Sequence, residues 1–241
     1  MSPDTAYLAL LLDGPLQSWG FASRFQRRTT GLHPTKSGVV GLICAAMGLA
    51  KGSPDGPVTL ASLANLNMAS VVIPRPVPRS DGAELPVRRL EDYHTVLDTR
   101  RASGAMSKDA VVTRREYLLD ARFGVILEGG RPLLERVAAA LQNPVWGVWL
   151  GRKSCIPAAP VFVGLCESRD AAWKAILGVC GLNQETPRET FTTVTEVSKF
   201  ADGTDSLSDQ PVSFGDGASS GPDKRQFAVR RISVKPGIRR S

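Results

Sequence analysis

The chain has 241 residues, 30 Lys/Arg against 23 Asp/Glu, a net charge of +7 and 42% hydrophobic residues, enough to bury a full core in one elaborated domain or two small ones. No uninterrupted apolar run approaches the ~20 residues of a membrane span, and the N-terminal run ends at Asp13 without a signal-peptide pattern, so a cytoplasmic protein without a membrane partner is expected. Cys44, Cys155, Cys166 and Cys180 show no CxxC pairing, and two histidines cannot complete a zinc spacing, so no metal or cofactor is expected.

In chain order, residues 7–12 read as a buried strand, 37–49 as a helix and 69–73 as a strand closed by the PRPVPR loop. Residues 75–122 hold ten Lys/Arg and eight Asp/Glu with few apolar clusters, the composition of an exposed excursion, a long hairpin with a mobile tip. A strand over 122–127, a turn over 128–131 and a helix over 132–142 opened by Pro132 follow. The apolar run 159–165 completes a strand, helix, strand, strand, helix, strand order, which is ferredoxin-like and is shared by RNA-recognition modules. Beyond it come a helix over 171–179, a Ser/Asp/Gly-rich stretch over 202–223 expected as a flexible loop, and a basic end with seven Lys/Arg and no acid over 224–241.

The segment 14–54 carries five Lys/Arg and no Asp or Glu. It includes GPLQSWG and PTKSGVVGL, a glycine-punctuated turn entering a helix. The first amides of a helix lack partners and carry the positive end of its dipole, so Pro34, Thr35, Lys36, Ser37 and Gly38 form a candidate phosphate cradle. Thr35 or Ser37 caps the helix, and Lys36 adds a mobile charge. Arg24, Arg27 and Arg28 add to the same basic segment. The GxxxxGK[ST] pattern is absent, which argues against nucleotide hydrolysis. The competing reading is that Gly38 and Gly41 only permit close helix–strand packing while the arginines are solvated.

Six blocks in order, GPLQSWG, PTKSGVVGL, LEDYHTVL, RREYLLDA, LGRKSC and RQFAVRR, resemble the CasD family of subunits of the subtype I-E CRISPR surveillance complex, Cascade. The resemblance implies an α+β, ferredoxin-like, RNA-recognition-like fold with a long β-hairpin thumb and a C-terminal extension. On that reading, 1–74 and 123–182 form the core, 75–122 the thumb, and 183–241 the extension with its flexible loop and basic tail. It implies a non-catalytic subunit that holds the 5′ handle of the CRISPR RNA and caps the backbone filament in antiviral defence. The implied partners are the CRISPR RNA, the Cascade backbone subunits, the large subunit and, through the complex, target DNA near the guide 5′ end.

Alternatives stay open residue by residue. Trp19 stacks on a base or anchors packing; Arg115, beside Arg114 at the thumb base, reaches RNA or pairs with Glu116 or Asp120. Arg152 and Lys153 reach phosphate or are solvated, Tyr93 and His94 touch RNA or fold the thumb, and Arg225 lies in the last block. Two rival functions remain: a metal-independent endoribonuclease using residues such as His33, Lys36, Tyr93 and His94, or a pure assembly subunit.

Overall fold

The computed structural model describes residues 4–20, 26–76, 84–85, 87–100, 104–106, 109–215 and 225–237. In chain order its elements are β1 (Thr5–Asp13), β2 (Leu16–Gln17), β3 (Arg27–Arg28), α1 (Lys36–Ala46), α2 (Gly56–Ala64), β4 (Asn67–Val72), β5 (Arg75–Pro76), β6 (Glu84–Leu85), β7 (Arg88–Val96) and β8 (Val111–Leu119). There follow β9 (Arg122–Gly130), α3 (Arg131–Gln142), β10 (Phe162–Cys166), α4 (Arg169–Val179), β11 (Thr193–Glu196), β12 (Asp205–Ser213) and β13 (Gln226–Lys235). Among the described residues no helix is long and apolar enough to cross a membrane.

The chain is mixed α+β with a seven-stranded sheet in the order β10-β1-β9-β4-β11-β13-β12, all neighbours antiparallel. β1 sits between β9 and β10 and is apolar on both faces. Side chains alternate along a strand. Leu8, Leu10 and Leu12 therefore meet α1 and α3 on one side, while Tyr7, Ala9 and Leu11 meet α4 on the other. Burial on both faces is why this strand reads as a continuous apolar run.

The helices follow from equally local causes. α3 buries Leu134, Val137, Ala138 and Leu141, the spacing of one helix face, against β1 and β10. α4 is capped by Ser168, whose Oγ accepts the Ala171 amide at 3.1 Å, and its Trp173 meets Phe191 edge to face at 5.3 Å. α1 ends earlier than its apolar pattern, because Gly48 at φ 66° turns the chain left-handed and its amide bonds the Ala45 carbonyl. α2 adds a helix to those expected, although Pro57 in its first turn is a start signal.

Three expectations are corrected. No turn interrupts residues 128–131: β9 runs to Gly130 and α3 begins at Arg131. The stretch 202–223 is not simply a loop, since β12 occupies Asp205–Ser213. It is the last strand on its side of the sheet, where Pro211 is tolerated and outward Ser residues stay wet. The basic end is likewise not simply a tail: Gln226–Lys235 forms β13 between β11 and β12, with Arg230 and Ile232 buried, while 224 and 238–241 lie outside the described residues.

A second, four-stranded sheet is built around β8. β7 and β8 pair antiparallel over nine residues, Arg88↔Leu119 to Val96↔Val111. The other edge of β8 takes β2 antiparallel and β3 parallel. The charged excursion is thus built on a hairpin; its tip includes residues 101–103 and 107–108, outside the described residues.

Candidate nucleic-acid interface

The N-terminus of α1 is already occupied by an anion, and it belongs to the chain. The Asp209 carboxylate on β12 accepts the Lys36 backbone amide at 2.8 Å. Thr35 caps the same turn, its Oγ1 accepting from Gly38 N at 3.3 Å. Asp209 also receives Arg230 in a two-pronged ion pair, Nε to Oδ1 at 2.9 Å and Nη2 to Oδ2 at 2.7 Å.

Lys36 turns inward. It is 1% exposed, and its ammonium donates to both Glu196 oxygens at 2.9 Å. Burial pushes its pKa down against the pull of Glu196. The expectation of a mobile phosphate ligand at Lys36 is therefore corrected: the cation is spent inside the fold. His33 stands nearby, its imidazole pKa lowered chiefly by burial. Pro34 and Thr35 are buried, whereas Ser37 and Gly38 are half-buried and face outward into a groove.

This groove, of about 530 Å³, runs along α1 between the 18–20 segment, the 146–151 loop and the start of β13. Trp146 and Phe227 line it at 47% and 41% exposure, joined by Trp149, Phe214 and the exposed cations Lys51 and Arg225. Trp19 forms its floor, not a stacking surface. It is 1% exposed, donates Nε1–H to Gln17 Oε1 at 3.0 Å, and lies so close under α1 that a Cβ on Gly38 would stand 2.9 Å from its ring. Gly151, at φ 97°, lets the opposite wall touch Ser18; an added Cβ would fall 1.8 Å from the Ser18 carbonyl oxygen.

Sequence reading missed Trp146, Trp149, Phe214, Phe227 and Lys51. The signal for the first two was present in WGVWLG, where two tryptophans sit in a glycine-bearing segment without regular structure. Phe227 stood in the RQFAVRR block beside Arg225, whereas Phe214 had no signal, and only the β12–β13 pairing brings both to α1.

Next to Gly151, Arg152 opens a second basic region along the middle of the hairpin. In the parallel pairing of β3 with β8, Arg27 faces Arg114 and Arg28 faces Arg115. Like charges so opposed repel unless an anion intervenes. Exposed Arg27 lies 3.7 Å from half-buried Glu116, and Arg114 lies 3.6 Å from Glu91 in an exposed pair of small energetic worth. Arg115 donates from Nε to Thr113 Oγ1 at 3.1 Å rather than to Glu116 or Asp120.

Arg152 is structural in part: it donates to the Glu116 and Arg28 carbonyls at 3.0 and 2.9 Å and lies 4.7 Å over the Tyr117 ring. Lys153 beside it is exposed. Tyr93, 65% exposed, faces Arg114 across the hairpin, and His94 Nδ1 is 3.8 Å from Asp92. Arg24 lies outside the described residues. The candidate residues thus divide into two adjoining sets. Ser37, Gly38 and Arg225 are in the groove with Trp19 beneath; Arg27, Arg28, Arg114, Arg115, Arg152 and Tyr93 gather along the middle of the hairpin. Among the described residues no group of three His, Cys, Asp or Glu is placed to hold a metal.

Comparison with known proteins bears on this geometry. The family model described as CRISPR-associated protein (Cas_Cas5) matches residues 7–233. The chain is 35% identical over 176 residues to CRISPR system Cascade subunit CasD of Escherichia coli (strain K12), covering 71% of this chain and 76% of that one. A chain of a structure titled "CRISPR RNA-guided surveillance complex" superposes with TM-score 0.70 at 25% identity, covering 96% of this chain and 90% of the other. A structure titled "Crystal structure of Cas protein" gives TM-score 0.58 at 30% identity, covering 95% of each. With the match extending from β1 to β13, the chain belongs to the Cas5 family of CRISPR-associated proteins.

Proposed function

We propose that this chain is the subunit of a Cascade-type CRISPR surveillance complex that grips the 5′ handle of the CRISPR RNA and caps the backbone filament. The observation that carries the reading is the groove on α1, where exposed Trp146 and Phe227 stand beside Lys51, Arg225 and glycine backbone. Aromatic faces for unstacked bases and cations for phosphates are the parts that single-stranded RNA recognition uses. The likeness to a Cascade subunit supports the same reading.

The sheet order β10-β1-β9-β4, with α1 and α3 on one face, supports a ferredoxin-like core made of residues 1–74 and 123–182. The β7–β8 hairpin of segment 75–122 is the thumb, and β11, β12 and β13 of the extension 183–241 widen the sheet. Arg115, midway along β8 of this thumb, reaches the RNA. The subunit works in the cytoplasm beside backbone subunits and the large subunit, and meets target DNA only through the complex. It holds RNA without cutting it, a reading supported by Lys36, one candidate catalytic cation, being committed to Glu196, and by His33 lying before α1 while His94 is on β7.

Filter binding of single-stranded repeat RNA in EDTA, with the products run on a denaturing gel, tests the reading. Arg225→Glu and Arg115→Glu should each weaken binding and lower the slope of log K against log salt by about 1, with the RNA left intact. Unchanged binding in the double variant would overturn the site, and a single cut lost in His33→Ala/His94→Ala would make the chain a processing nuclease.

A further inference from the structure

A second cavity, of about 410 Å³, opens beside the groove between the turn joining α1 to α2 and the end of β12. Groove and cavity share Leu49, Lys51 and Phe214, so a strand lying in one passes the mouth of the other. At the divide, Phe214 stands over the bare side of α1: a Cβ added to Gly41 would lie 3.9 Å from Phe214 Cζ. The turn is equally open. Gly52 has φ 74°, and nothing lies within 4 Å of where its side chain would stand. Inside the cavity wall, Ser53 Oγ is buried without a hydrogen-bond partner, and exposed Lys51 stands at the junction.

These groups form a set that a nucleobase would complete. An aromatic wall takes the flat face, the partnerless Ser53 hydroxyl takes a polar edge once its side chain turns from the wall into the cavity, and a cation at the mouth takes the phosphate that trails the base. An apolar peptide side chain would leave both Ser53 and Lys51 unused. We propose that this cavity receives one unstacked nucleobase of the RNA strand held in the groove, flanked by Phe214, hydrogen-bonded by Ser53 and followed by a phosphate at Lys51. The inference rests on the RNA-binding reading and adds to it where a single base leaves the strand.

The experiment crosses a base deletion with a filled cavity. Short synthetic single-stranded RNAs of the repeat handle, each with one abasic position, are titrated against the full chain and against Val212→Trp. Val212 is 54% exposed on β12 and lines the cavity but not the groove, and tryptophan suits a strand. For the wild-type chain, one position should lose about tenfold in affinity when its base is removed. Val212→Trp should lose about the same with intact RNA and become indifferent to that deletion. Ser53→Ala, which removes only a hydroxyl, should lose a few-fold at the same position and serves if the tryptophan variant fails to fold.

A wild-type chain equally insensitive at every position, or Val212→Trp that binds like wild type and keeps the abasic penalty, would overturn the cavity assignment while leaving RNA binding in place. A Val212→Trp chain that binds RNA normally but no longer copurifies with another subunit would overturn it in favour of a protein occupant. Failure of the wild-type chain to bind any of the RNAs would overturn both readings.

Discussion

The Asp209 carboxylate accepts the Lys36 amide at the N-terminus of α1 and, through both of its oxygens, holds the guanidinium of Arg230. One residue therefore ties the last two strands of the sheet to the first helix. The positive end of the helix dipole and a buried arginine are neutralised together. Asp209→Ala takes from Arg230, 2% exposed, both hydrogen-bonded carboxylate oxygens and leaves it only Glu196 at 3.9 Å. The expected loss is about 3–5 kcal/mol in urea unfolding, with Asp209→Asn losing less because it retains the cap.

Lys36 separates a structural from a binding role. Lys36→Ala should cost about 3 kcal/mol, because Glu196 loses the charge that both of its oxygens hold. Whatever fraction remains folded should bind RNA with an unchanged salt slope, since the ammonium faces Glu196 and not the groove. Paired melting and salt-titration curves of the variant check both statements.

Trp146 carries the opposite expectation. It is 47% exposed in the groove wall, so Trp146→Ala should leave the melting temperature nearly unchanged and weaken RNA binding by about 1–3 kcal/mol. Trp19→Ala, emptying the groove floor, should instead cost about 3–5 kcal/mol of stability. Thermal melts and filter binding on the two variants distinguish stacking from packing.

His33 makes the fold acid-sensitive. Burial holds its folded pKa below the ordinary value, among Arg230, Asp209 and Asp205. Below about pH 6.5 the unfolded chain takes up a proton that the folded chain refuses, so ΔG of unfolding rises with pH across this window. Stability is complete above the unfolded value, falls as the pH drops below it, and the loss is complete below the folded value. His33→Gln should flatten that limb in urea midpoints measured at about pH 7.5 and pH 5.5.

The elements most legible in the sequence were those whose cause is local. β1 showed itself as an unbroken apolar run because both its faces are buried, and α3 showed itself through Pro132 and a one-sided apolar spacing. β11, β12 and β13 were not legible, because a Ser- and Asp-rich edge strand and an arginine-rich partner have the composition of a loop and a tail. Their strand character comes from pairing across the sheet.

The candidate site divides in the same way. Charge, glycine placement and periodicity are properties of neighbouring residues, so a basic, glycine-rich segment entering a helix and an arginine-bearing hairpin interrupting the core could both be read from residue order. Which cations stay available is a matter of the folded sheet. Glu196 and Asp209 lie far along the chain from Lys36 and the helix mouth, yet the sheet order carries them there, and a buried charge persists only with its partner. That pairing withdraws Lys36 and Arg230 from any ligand, while Arg225, Trp146 and Phe227 remain exposed along α1.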